Sequence, residues 1–102
     1  YTGKVWLLTS NYTFSSAASF SWAFKYFNMG KVVGEETGGM NVCFGDVLEY
    51  SLPISQLYCY ISYQRFWQYG ADETDIHGTI PDIAVPADKA LETTLQLIRN
   101  KK

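Results

Sequence analysis

The chain is short of charge, of histidine and of long apolar runs. Its formal net charge is −2, and its eight Lys and Arg are scattered along 102 residues. That spread excludes the concentrated basic face that a nucleic-acid or anionic membrane surface requires. No apolar run approaches the roughly 20 residues of a spanning helix, so no membrane span is expected. The two cysteines, Cys43 and Cys59, fall on different expected elements with no His or Cys at zinc-site spacing, which argues against a metal. They read either as a disulfide or as two free buried thiols, and two alone do not fix the redox compartment. No cofactor is expected. The chain opens inside a strand without a signal peptide, so it reads as the mature C-terminal piece of a longer protein. What it does have is apolar content, 47%, with an aromatic share of 17%, enough to build one domain or part of one.

One stretch organises the rest. Val5 to Leu8 is a short continuous apolar run, expected to be a strand covered on both faces, and Ser10-Asn11 is turn chemistry that stops it. From Phe14 the period becomes helical. A hydroxyl residue at the first turn of a helix sits at the positive end of the macrodipole, beside backbone N–H groups without intrahelical partners. Such groups can stabilise an oxyanion. On these residues alone the favoured reading is a plain helix start with Thr13 or Ser15 as N-cap, because Ser and Thr are preferred there for hydrogen bonding alone.

Three blocks carry a resemblance that bears on this choice: Thr13-Phe14-Ser15-Ser16-Ala17-Ala18, Val32-Val33-Gly34-Glu35-Glu36-Thr37-Gly38-Gly39 and Gly78-Thr79-Ile80-Pro81-Asp82-Ile83. In this order the chain resembles the C-terminal processing (tail-specific) serine peptidases. The resemblance implies an α/β fold, the C-terminal part of a ClpP/crotonase-like β-α-β domain with a long β-hairpin and a C-terminal helix. It places the nucleophile on Ser15 and an oxyanion donor on the Ser16 backbone N–H, with Gly38, Gly39 and Met40 along the substrate groove. Ala18 departs from the family pattern, which often has Glu there. In one branch a Lys just beyond the glycines is the base of a Ser-Lys dyad; the aligned residue here is Met40, whose thioether takes no proton. The other branch, similar to the core domain of tricorn protease, takes its base from a His earlier in the chain, oriented by a second Ser and a Glu. Glu73 is then the candidate for that Glu, with Asp72 and Asp75 as the alternatives.

The remaining elements follow from periodicity. Ala17, Phe20, Phe24 and Phe27 recur at helical spacing, with Trp22 and Tyr26 widening the face, and predict a largely buried helix whose aromatics pack the core. Asn28-Met29-Gly30 ends it, with Gly30 expected in the left-handed conformation. Lys31 to Gly34 is a second strand, parallel to the first, and the loops after the two strands are expected to share a rim. Asp46 to Leu52, a turn at Pro53 to Gln56, and Leu57 to Trp67 predict a long antiparallel hairpin. Its many Tyr fit cross-strand packing, or a groove that adds an extended peptide as a further strand. Gly70 to Gly78 is a polar loop holding three acids and the sole histidine, His77, read as a surface residue rather than a base. Asp82 is expected to cap backbone N–H groups on the way into a short extended segment to Val85. Asp88 is the expected cap of a last helix with Ala90, Leu91, Thr94, Leu95 and Ile98 on one face and Arg99, Lys101 and Lys102 at its C-terminal end.

The resemblance implies hydrolysis of protein or peptide tails through an acyl-enzyme on Ser15, and the scattered charge implies no nucleic-acid partner. The His base, and a second oxyanion donor from a glycine-rich loop, are expected from the upstream part of the same catalytic domain, leaving the isolated piece nearly inactive. The resemblance also implies an extracytoplasmic location: periplasm, cell envelope or secreted. An open sheet edge would pair with a second copy into a homo-oligomer. A different class of function fits the same fold: a module that has lost its chemistry and holds peptide tails or an apolar ligand, as a retinoid-binding member of the superfamily does. Ala18 and Met40 lean that way.

Overall fold

The order of elements is β1 (Trp6–Thr9), α1 (Ser15–Tyr26), β2 (Lys31–Gly34), β3 (Val42–Ser51), β4 (Tyr58–Trp67), β5 (Ile83–Ala84) and α2 (Ala87–Arg99). The computed structural model describes residues 1–100; Lys101 and Lys102, expected at the dipole end of the last helix, lie outside them. β1, β2 and β5 form a parallel sheet with β2 in the middle. Val32 and Val33 of β2 are wholly buried, as a central parallel strand requires. β1 is an edge strand, so the expectation that Val5 to Leu8 is covered on both faces does not hold: Val5 and Leu8 are both exposed.

Asp82 ties the sheet together from its far edge. Its carboxylate accepts the Val32 N–H at 2.9 Å while its own N–H donates to the Val32 carbonyl, the capping role expected of it. The segment after it becomes the third strand, and α2 packs back on β1 and β2. The N-cap of α2 is Pro86, not Asp88, and the helix has no side-chain cap. Proline suits that position because its missing donor costs nothing at a helix start. Ala90 and Thr94 face the sheet, whereas Leu91, Leu95 and Ile98 of the expected apolar face are exposed.

α1 is less buried than its sequence predicts. Only Ala18, Ser21 and Phe24 are covered; Phe20 and Phe27 are exposed. Phe27, Tyr26 and Tyr69 instead form a surface aromatic cluster with centroids 5.2 to 6.3 Å apart. The left-handed residue that ends the helix is Asn28 (φ 53°), not Gly30. Gly30 is needed for room, since a Cβ there would lie 2.1 Å from the Val5 carbonyl oxygen.

The hairpin is present and starts earlier than predicted, at Val42. Its antiparallel register runs from Val42 opposite Trp67 to Ser51 opposite Tyr58, with the Asp46–Tyr63 pair missing where Asp46 adopts φ 43°. Cys43 lies opposite Phe66 and Cys59 opposite Tyr50, so the thiols are seven ladder positions, about 23 Å, apart. Both are free and half-buried, which leaves no disulfide between them. The arm is a two-stranded sheet whose tyrosines, Tyr50, Tyr58, Tyr60 and Tyr63, are all exposed. It gives the molecule its 67 × 28 × 26 Å shape. No helix among the described residues is long and apolar enough to cross a membrane.

Candidate active site

Between β1 and α1 the backbone spends almost every amide. Thr13 Oγ1 accepts the Ser10 N–H, the Ser10 carbonyl accepts the Thr13 N–H, Ser10 Oγ accepts the Tyr12 N–H, and the Asn11 N–H goes to Glu35 Oε2. Then the pattern breaks. The N-cap of α1 is Phe14, with no side-chain cap, so neither Thr13 nor Ser15 caps the helix. Among the described residues the N–H groups of Ser15 and Ser16 and the Ser15 hydroxyl have no hydrogen-bond partner. Ser15 is exposed and holds φ 54°, in the left-handed region that a residue with a Cβ enters at a cost of about 1–3 kcal/mol. A strained turn that lifts a serine hydroxyl clear of its helix, beside free amides, is the geometry of an exposed nucleophile.

The second loop comes up against this one. The Gly39 N–H donates to the Thr13 carbonyl at 3.0 Å, and a Cβ on Gly39 would stand 2.6 Å from Ala18 Cβ and 3.2 Å from the Ser15 nitrogen. Only glycine permits that approach. Ala18 is buried beside Gly39. Because the Gly39 amide is committed to Thr13, it is not free to be a second oxyanion donor.

These two loops and the root of the hairpin enclose a cleft of about 580 Å³ lined by Ser15, Ser16, Ser19, Gly38, Gly39 and Met40 on one side and by Cys43, Phe44, Asp46 and Phe66 on the other. The expected shared rim of the two strand-end loops is therefore present. Ser15, Ser16, Gly38, Gly39 and Met40 come together as a set. The acids do not join them. Glu73 lies in a neighbouring depression that shares Met40, Cys43 and Phe44 with the cleft, and is paired with Arg65 at 2.9 Å. Asp72 caps Thr74, whose hydroxyl and amide hold its carboxyl below the usual carboxylate range. Asp75 accepts the His77 N–H and one N–H of the Asn41 side chain. His77 is exposed and bound to Glu36 at 3.0 Å, and is not among the residues that line the cleft.

A model of peptidase family S41 matches residues 1–85 of the 102. The chain belongs to that family. S41 membership makes it a peptidase-family hydrolase, with the mixed α/β fold seen here. No curated protein matches the S41 chain. No group of three or more His, Cys, Asp or Glu among its described residues is arranged to hold a metal ion.

Two residues of this region escape a reading of the sequence. Asn41 is buried, and its side chain bridges Asp75 and the Gly78 carbonyl while its backbone bonds His77 and Gln68. Glu35 reads as a solvated loop charge, yet each of its carboxylate oxygens accepts a backbone N–H. Neither carries a sequence signal, since both partners of each are distant in the chain.

Proposed function

We propose that the chain is the C-terminal portion of a serine endopeptidase of the tricorn-like branch, cutting protein or peptide tails through an acyl-enzyme on Ser15. The observation that carries this is Ser15 itself: strained, exposed, uncapped, and set in a cleft beside two unbonded amides. The Ser15 hydroxyl attacks the scissile carbonyl, a histidine takes its proton, and the Ser16 N–H receives the oxyanion. Met40, at the position where a Lys would be the base, gives no proton acceptor, and His77 is held by Glu36. The base therefore comes from an upstream part of the same domain, as does the second oxyanion donor. Glu73 orients that histidine from the adjoining depression, with Arg65 holding its carboxylate. Lacking a base and one donor worth about 3 kcal/mol of transition-state stabilisation, residues 1–102 alone are nearly inactive. An extracytoplasmic location goes with this reading.

Exposed apolar surface supports an upstream portion. The accessible surface is 7529 Å², against about 5,800 Å² for a compact chain of this size. The surplus lies on the hairpin, on Phe20 and Phe27 of α1, and on Leu91, Leu95 and Ile98 of α2.

A fluorophosphonate probe tests the proposal. The full-length protein is expected to be labelled at Ser15, Ser15→Ala to abolish labelling, and Glu73→Gln to slow it. Labelling that persists in Ser15→Ala removes the assignment. A full-length protein that resists the probe but binds peptide or apolar ligand in the cleft points instead to the binding module, the reading that Met40 and the small Ala18 favour.

A further inference from the structure

The nucleophile loop is fastened from outside by one side chain. Of the four amides from Ser10 to Thr13, three are satisfied by Ser10 and Thr13 within the loop, and the fourth, Asn11, donates to Glu35 Oε2 at 3.1 Å. Glu35 Oε1 accepts the N–H of Ala87, the first residue of α2, at 3.1 Å. The backbone of Glu35 is locked as well: its N–H donates to the Thr9 carbonyl and its carbonyl accepts the Thr9 hydroxyl at 2.7 Å. The carboxylate thus links the loop that leads into Ser15 to the start of a helix packed on β1 and β2, while the backbone of the same residue holds the end of β1. The carboxylate's charge suits the positive end of α2.

We infer that Glu35 is a positioning residue for the nucleophile, setting the loop from which Ser15 is projected. This rests on the reading of Ser15 as nucleophile. A left-handed serine persists only where its surroundings over-determine it. Within the loop the internal bonds fix its shape, and among the described residues the hydrogen bonds that fix where it stands relative to the sheet are the Glu35 contact and the Gly39 amide on the Thr13 carbonyl. A carboxylate is required because two backbone donors need two acceptor oxygens. A glutamine offers one oxygen and presents an N–H to the other donor.

The test compares Glu35→Gln with Ala87→Pro in the full-length protein. Ala87→Pro removes the α2 donor at a helix position that tolerates proline, after a residue already extended (Pro86 ψ 144°), and leaves the Asn11 bond in place. For Glu35→Gln the expectation is a fall of about 10- to 100-fold in kcat and in the rate of fluorophosphonate labelling, with KM little changed. Amide exchange across residues 10–16 should quicken in parallel. For Ala87→Pro, kcat, labelling and exchange of that loop should remain as in the unmodified protein. Equal kcat and equal loop exchange in Glu35→Gln would overturn the inference, and so would an Ala87→Pro variant that loses as much kcat as Glu35→Gln, since Glu35 would then act through α2. If the unmodified protein shows no labelling at Ser15, the nucleophile reading fails, and loop exchange in Glu35→Gln still decides whether the carboxylate holds the loop.

Discussion

Gly39 shows how one missing methyl group sets the distance between the two loops of the site. Its Cα approaches Ala18 and the Ser15 nitrogen so closely that a Cβ would overlap Ala18 Cβ at 2.6 Å. Gly39→Ala is therefore expected to destabilise the fold by about 1–3 kcal/mol, the usual range for overpacking a filled site, read from denaturant unfolding. Pairing it with Ala18→Gly removes the overlapping atom, and the double variant should regain part of that loss beyond additivity. A strictly additive cycle would place the strain elsewhere. At this scale the sequence was legible where chemistry is local. Ser15 stood out because a strand stops and a helix starts around it, and the Asp82 cap followed from its place before an extended segment. Glu35, Glu36 and Asn41 could not be found that way, because each takes partners 24 to 52 residues away. Glu36, expected as a solvated charge, accepts the Gly78 N–H at 2.9 Å and holds His77.

Among the elements, the junction between the glycine loop and the hairpin decides how the cleft is built, because β3 and β4 supply its second wall. Asn41 is the fastening there. Buried to 2% exposure, it receives the Gln68 N–H on its carbonyl, donates its own N–H to His77, and uses its side chain on Asp75 and Gly78. The loop from Gly70 to Gly78 and both ends of the hairpin meet on this one residue. Asn41→Leu should cost about 1–3 kcal/mol, because the buried Gly78 carbonyl loses its donor. Exchange of the amides near Val42 and Gln68 should rise more than exchange in β2, and uniform quickening throughout would contradict this local role. Periodicity revealed the elements but misjudged their faces. The apolar stripes of α1 and α2 are where the sequence puts them, yet much of each stripe stays exposed among the described residues, since a stripe announces that a face needs covering and not what covers it.

At the level of the molecule, the radius of gyration is 17.5 Å, whereas a compact chain of this length has about 13 Å. The surplus surface, about 1,700 Å² over the compact expectation, is roughly twice what one partner buries in a standard protein interface. A transient contact would not need so much, whereas the interior face of a domain would. The arm makes the same point through its edges. Each strand is ten residues long, with no Lys and no Pro between Val42 and Ser51 or between Tyr58 and Trp67, so two of the usual protections of an open edge are missing. Residues 1–102 prepared alone should accordingly bind a hydrophobic dye strongly and associate in a concentration-dependent way by sedimentation, while the full-length protein should do neither. In the full-length protein the amides of β3 and β4 that face away from the partner strand should exchange slowly, because new strands or side chains cover them. Should residues 1–102 stay monomeric and dye-silent, the hairpin would be a stable solvated arm, and the surplus surface would need no covering partner.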